Sequence, residues 1–265
     1  MKKLTTVYTI ELIKLKNTST FGLISLGALF IPLFLDITVS SRWKMYSKAF
    51  TDVNENNWLD YSRKLFNGVH FIFLPLLLII IIALVSNIEY KSNGWKHLFV
   101  MPVSRNKIFI SKFLMIESLA LQIYCLITLF YLVGGHILDL LHPVFNFSKY
   151  PPGYQYGGIH TDIIPYLIKS FLSVQALIAI HFWLSFRIKN TFTVLAIGLG
   201  GVVMAVGMFI GHWESLAYFP YGSPLLLCNY RSGAHFLDDF LVSSIVYALF
   251  GIIAAYIDFI RFFNA

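Results

Sequence analysis

A chain of 265 residues that is 57% hydrophobic and only 12% charged is not an ordinary soluble domain, where about a quarter of residues carry charge. With a mean hydropathy of +0.71 it reads as a polytopic membrane protein, and its length limits it to one compact bundle. The net charge of +7 does not point to nucleic acid, because the lysines and arginines gather at the ends of apolar stretches and form no long basic run.

Residues 3–16 come first. Leu4, Val7, Tyr8, Leu12 and Leu15 share one helical face, with Lys3, Thr6, Lys14 and Lys16 off it. That pattern suits a helix lying on the membrane surface. The stretch has neither the apolar core nor the small-residue cleavage site of a signal peptide. Six apolar stretches follow, each near the roughly 20 residues a bilayer needs: 21–39, 69–88, 113–133, 163–186, 191–211 and 240–260. Asp36 near the end of the first and Lys169 near the start of the fourth lie close enough to the span ends to reach an interface. The expected fold class is an all-α membrane protein with six spans, an N-terminal amphipathic surface helix and a further short helix between spans two and three.

That further helix lies in a charged island, EYKSNGWKHLFVMPVSRNKIFISK (89–112), between two apolar spans. It carries Lys91, Lys96, Arg105, Lys107 and Lys112, the signature of a cytoplasmic loop. Ser92-Asn93-Gly94 can start a helix that places Trp95, Leu98 and Phe99 on one face. Pro102 ends it, and Ser104 can cap the helix entering the third span. An amphipathic helix on so tight a loop is a docking device. With this loop and both termini inside, twelve basic residues fall on the cytoplasmic side and eight outside. Five of those eight crowd the first outer loop. The other two outer loops are rich in Pro, Gly and aromatics, HPVFNFSKYPPGYQYGG and YFPYGSPLLLCNYRSG.

Polar groups within spans are costly and therefore candidates for function. Glu117 opens the third span, and Asp258 lies near the end of the sixth, three residues before Arg261. Gln122, Gln175 and His181 are further candidates for a transport path or for interhelical hydrogen bonds. Five histidines fall on the outer side, His136, His142, His160, His212 and His235, without HExxH or HxxxH spacing. Cys125 and Cys228 define no disulfide framework. No GxxxxGK[ST] phosphate loop and no GxSxG nucleophile motif occurs. The residues alone leave four readings open: a subunit driven by a docked partner, a metal-dependent intramembrane enzyme, an ion-driven carrier using Glu117, and an accessory membrane scaffold without a path.

The island resembles the coupling segment of ABC-2 type permeases, the membrane subunits of a class of ATP-binding-cassette exporters. Glu89 stands where that family closes its second span with an acid. Gly94-Trp95, the apolar run 96–100, Pro102-Val103-Ser104-Arg105 and Lys112 follow in the family's order. FPYGSPLLL (219–227) is similar to the Pro-rich outer segment of small bacterial permeases, and within the family the chain most resembles the permease subunits of bacitracin- and lantibiotic-type self-protection exporters. The resemblance implies one transmembrane domain over 1–265 with segment 90–104 as the coupling element. Glu89, Gly94, Trp95, Leu98, Phe99, Pro102 and Arg105 would then be the ATPase-coupling residues. It implies a cytoplasmic ATPase dimer that binds ATP and magnesium, and a second permease, identical or paralogous. It places the chain among lipids in a bacterial cytoplasmic membrane. This chain itself would hold no cofactor, no metal and no nucleic acid.

Overall fold

The computed structural model describes residues 4–16, 18, 20–50, 57–91, 103–145, 147, 159–228 and 238–262. Among these residues the chain is helical and has no strand. Six helices are long and apolar enough to cross a membrane, in agreement with the six apolar stretches. The helices are α1 (Leu4–Lys16), α2 (Thr20–Ser41), α3 (Trp43–Phe50), α4 (Asn57–Gly68), α5 (Leu74–Lys91), α6 (Arg105–Leu141), α7 (Ile159–Ser173), α8 (Gln175–Arg187), α9 (Thr191–Ile210), α10 (Ser223–Cys228) and α11 (Asp239–Phe262).

Three of the elements differ from a plain hydropathy reading. The second span is the end of a longer rod: α4 passes through a π-helical segment, Val69–Phe73, into α5, and the apolar rod runs over Lys64–Tyr90. The third is a single helix of 37 residues, about 55 Å long at 1.5 Å per residue. A hydrocarbon core of about 30 Å covers barely half of it, so hydropathy saw only 113–133. The fourth is two helices, α7 and α8, broken at Val174. Ser244 of α11 fits into that break, where its hydroxyl donates to the Leu172 carbonyl at 2.9 Å and accepts from the Ala176 amide at 3.2 Å.

The bundle closes through small residues, the usual device of membrane helices. Ser244, Ala248, Gly251 and Ala255 form one buried face of α11 against α8. A Cβ at Gly251 would sit 3.1 Å from the Ala179 backbone. At the end opposite the island, Gly134 and Gly135 of α6 admit the Asp36 carboxylate and the Trp58 ring. Asp36 turns toward the bundle; it is half-buried and accepts a hydrogen bond from the Tyr61 hydroxyl. Trp58 donates to the Phe147 carbonyl at 2.9 Å within a buried cluster of Tyr61, Phe66, Tyr131, Phe145 and Phe147. Lys169 also turns inward, 4% exposed, with its ammonium 3.9 Å from Asp238. Each inward turn has the same cause: a partner across the bundle supplies what water would otherwise supply.

The segment FPYGSPLLL is not an open loop. Tyr221, Ser223, Leu225 and Leu227 are buried, and Ser223 donates to the Phe240 carbonyl at 2.8 Å. Helix α1 packs on α6 and α2 and buries Val7, Glu11 and Leu15.

Candidate coupling site

Two spans meet the island. The second ends with Glu89 and Tyr90, and the third begins with α6 at Arg105. Ser104 holds the N-cap position with extended backbone, its carbonyl accepting from Lys107 at 3.0 Å, but its hydroxyl makes no cap bond. Arg105 is exposed at the helix start. Gly94, Trp95, Leu98, Phe99 and Pro102 lie outside the described residues, as does the amphipathic helix expected there. What the structure does describe is how the two roots of the island are joined.

They are joined by a cluster of four charges. Lys112 Nζ lies 2.7 Å from Glu89 Oε1 and 3.0 Å from Glu11 Oε2. Lys14 Nζ lies 2.9 Å from Glu89 Oε1 and 3.0 Å from Glu11 Oε1. Two acids and two bases alternate around a closed ring, contributed by α1, α5 and α6. The side chains of Glu11, Lys112 and Glu89 are 2%, 6% and 7% exposed, and that of Lys14 is 31% exposed. Burial opposes the Lys14 charge, but Glu11 and Glu89 outweigh it and hold the ammonium above the usual lysine value. Such a ring is favourable only while every member is present, because a buried charge without its partner is expensive.

Sequence reasoning found Glu89 and missed its partners. In the sequence Lys112 stands out as a basic residue of the island and as the lysine opening the third span, not as a partner of Glu89, and Lys14 lies off the apolar face of α1. Glu11 was not singled out, although a signal existed. It lies four residues from Val7 and four from Leu15, in the middle of the face those residues define, where an acid belongs only if a cation meets it.

Two further contacts tie this end of the bundle. The Tyr90 hydroxyl reaches the Ser185 and Phe186 carbonyls at 3.1 and 2.9 Å, and Tyr256 donates to Asn106 at 3.2 Å. Asp258 does not pair with Arg261 along its own helix. It accepts from Trp183 Nε1 at 2.6 Å and lies 3.4 Å from Arg187 Nε. Both partners come from α8, because Asp258 sits on the face that packs there.

The remaining candidates divide. Glu117 and Gln175 come together, with Gln175 Nε2 donating to Glu117 Oε2 at 3.2 Å. Gln122 stays half-exposed on α6. His181 is fully buried, and its Nε2 lies 3.0 Å from the Tyr221 hydroxyl. Burial pushes the Tyr221 phenol up to about 12. Deeper in the bundle His70, in the π segment, places Nδ1 2.7 Å from the Phe66 carbonyl and Nε2 against the Ser170 hydroxyl. A carbonyl only accepts, so Nδ1 carries the proton and Nε2 accepts from Ser170. Tyr124 donates to the Ser170 carbonyl at 2.9 Å. Thus α4–α5, α6 and α7 meet at one residue. Sequence reasoning did not find this node, since nothing local marks a π segment. Among the described residues no three His, Cys, Asp or Glu side chains are placed to hold a metal ion.

The profile of a family described as ABC-2 family transporter protein matches residues 8–207, 200 of the 265. It covers α1 from Tyr8 onward, the first four spans, both roots of the island and most of the fifth span. No curated protein matches the chain closely enough to count as a relative. With six membrane-crossing helices and a family match over most of its length, this chain belongs to the ABC-2 transporter family and is a multi-pass permease component of an ABC transporter.

Proposed function

We propose that this chain is the permease half of an exporter whose separate cytoplasmic ATPase docks on segment 90–104. The observation that carries this is the ring of Glu11, Lys14, Glu89 and Lys112. It clamps the end of α5 to the start of α6, on either side of that segment. A push on the segment then acts on spans two and three together and on α1, instead of being lost as a hinge between them. On this reading Trp95, Leu98 and Phe99 fill a pocket on the ATPase, with Gly94 and Pro102 bounding the helix that presents them. Arg105 passes the load into the long α6.

ATP and magnesium are bound by an ATPase dimer, and this chain neither binds nor hydrolyses nucleotide by itself. Two permeases, identical or paralogous, form the path. Both termini and segment 90–104 face the cytoplasm of a bacterial cell, in its cytoplasmic membrane, and the substrate class is peptide antibiotic, lipid or drug. Support comes from the family match, the basic residues around segment 90–104 and the position of the ring.

The test is Glu89→Gln in the reconstituted transporter with its ATPase. The reading expects the complex to assemble and hydrolyse ATP while transport falls. Transport at the wild-type rate per ATP would overturn the ring as the coupling joint.

A further inference from the structure

Glu117 stands on the edge of an outward-looking stripe. Ile110, Leu114, Leu121 and Cys125 are exposed on the same side of α6. Glu117 lies five residues beyond Lys112, about 7.5 Å deeper along the helix. Its side chain folds back into the seam between α6 and α8. There Oε2 accepts from the neutral amide of Gln175, and Oε1 is enclosed with no hydrogen-bond partner. No ion pair joins it to any described residue.

The charged and titratable groups of the surrounding helices are engaged elsewhere. Lys112 meets Glu11 and Glu89, and Lys14 meets the same two acids. On α8, Arg187 faces Asp258 and His181 faces Tyr221. Tyr124 donates to the Ser170 carbonyl, Tyr256 to Asn106, and Asp36 accepts from Tyr61. An ionised carboxylate at this depth, with one amide donor and no counter-charge, is among the costliest groups a span can carry. One bound proton removes that charge and gives Oε1 a hydrogen to donate.

We propose that Glu117 is a proton-binding site: in the closed bundle it is a neutral carboxylic acid, and it releases its proton when water enters the α6–α8 seam. This goes beyond the exporter reading and does not depend on an ATPase. It would make the opening of this seam sensitive to the proton concentration on the side from which water enters.

The test uses the full chain reconstituted in lipid at neutral pH. Infrared spectra of the wild type and Glu117→Gln are subtracted, and the wild type is treated with dicyclohexylcarbodiimide and mapped by mass spectrometry. This lipid-soluble reagent reacts with the acid form. The carboxyl proton moves to one carbodiimide nitrogen and the carboxyl oxygen bonds to the central carbon. The acyl group then shifts to nitrogen, so the whole reagent is retained. The expected result is loss of acid-carbonyl absorption in Glu117→Gln, with an adduct on Glu117 and none on Glu11 or Glu89. Because only the acid form reacts, labelling falls about tenfold per pH unit once the group titrates. Glu117→Gln preserves shape and a hydrogen-bonding end, so the comparison is between folded proteins. Identical acid-carbonyl absorption in the two proteins overturns the proposal, whatever the labelling shows.

Discussion

Lys112→Met tests the ring most sharply. In the native protein four contacts of 2.7 to 3.0 Å balance two positive and two negative charges. Methionine keeps most of the apolar stem and removes the ammonium. Glu11 and Glu89, each under 10% exposed, are then left with Lys14 alone. Breaking a buried pair in this way costs about 3–5 kcal/mol. Lys14→Met removes the more solvated cation, 31% exposed, so its cost should lie nearer the about 1 kcal/mol of a surface pair. The double variant Lys112→Met with Glu89→Gln returns the cluster to neutrality, because Glu11 and Lys14 remain 3.0 Å apart. It should therefore be more stable than the sum of its singles, with a coupling energy of about 0.5–3 kcal/mol. Equilibrium unfolding in bicelles, read for the four proteins of the cycle, measures this. A loss below about 1 kcal/mol for Lys112→Met, set against the buried-pair cost, would refute the reasoning. So would additivity of the two single losses within about 0.5 kcal/mol.

Alkaline pH should act on the same ring. The folded value of Lys14 lies above the ordinary 10.5, so its contribution is fully present below that value and disappears as pH climbs through the raised one. Thermal melts taken up the alkaline range should show this loss in the wild type and less of it in Lys14→Met; parallel pH curves would contradict it. Glycines offer a contrast between two spans. An alanine Cβ at Gly135 meets the buried Trp58 ring, whereas Gly200 has open space. Gly135→Ala should destabilise by about 1–3 kcal/mol, and Gly200→Ala should be neutral or slightly stabilising. Equal effects in an unfolding assay would mean that the packing of α4 on α6 is misplaced.

The spans were legible because about 20 apolar residues in a row have few alternatives in a chain of this composition. Hydropathy reports the part of a helix that lies in lipid, which is why Arg105–Leu141 read as 113–133 and why the stretch between the first two apolar segments did not read as α3 and α4. The break at Val174 was hidden because no Pro or Gly marks it; its cause, Ser244, lies 70 residues downstream. The ring was half legible for the same reason. Glu89 ends an apolar run and stands out, but its partners Lys14 and Lys112 are separated from it by 75 and 23 residues. Glu117 and Gln175 were each recognisable as polar groups in a span, while their pairing required the fold. Asp258 is recognisable as an acid near a span end, three residues before Arg261, but its partners Trp183 and Arg187 lie on another helix and needed the fold.

The central claim is that segment 90–104 holds a separate ATPase, and co-purification tests it most directly. Trp95→Ala combined with Phe99→Ala removes the two aromatics of the proposed docking face. Truncating an interface anchor costs about 2 kcal/mol or more, a loss of roughly thirtyfold in affinity. The account predicts that the double variant inserts and folds as the wild type does, judged by its yield from membranes and its elution profile, while the ATPase is largely lost from the purified complex. An ATPase retained at wild-type stoichiometry on the folded double variant would contradict it.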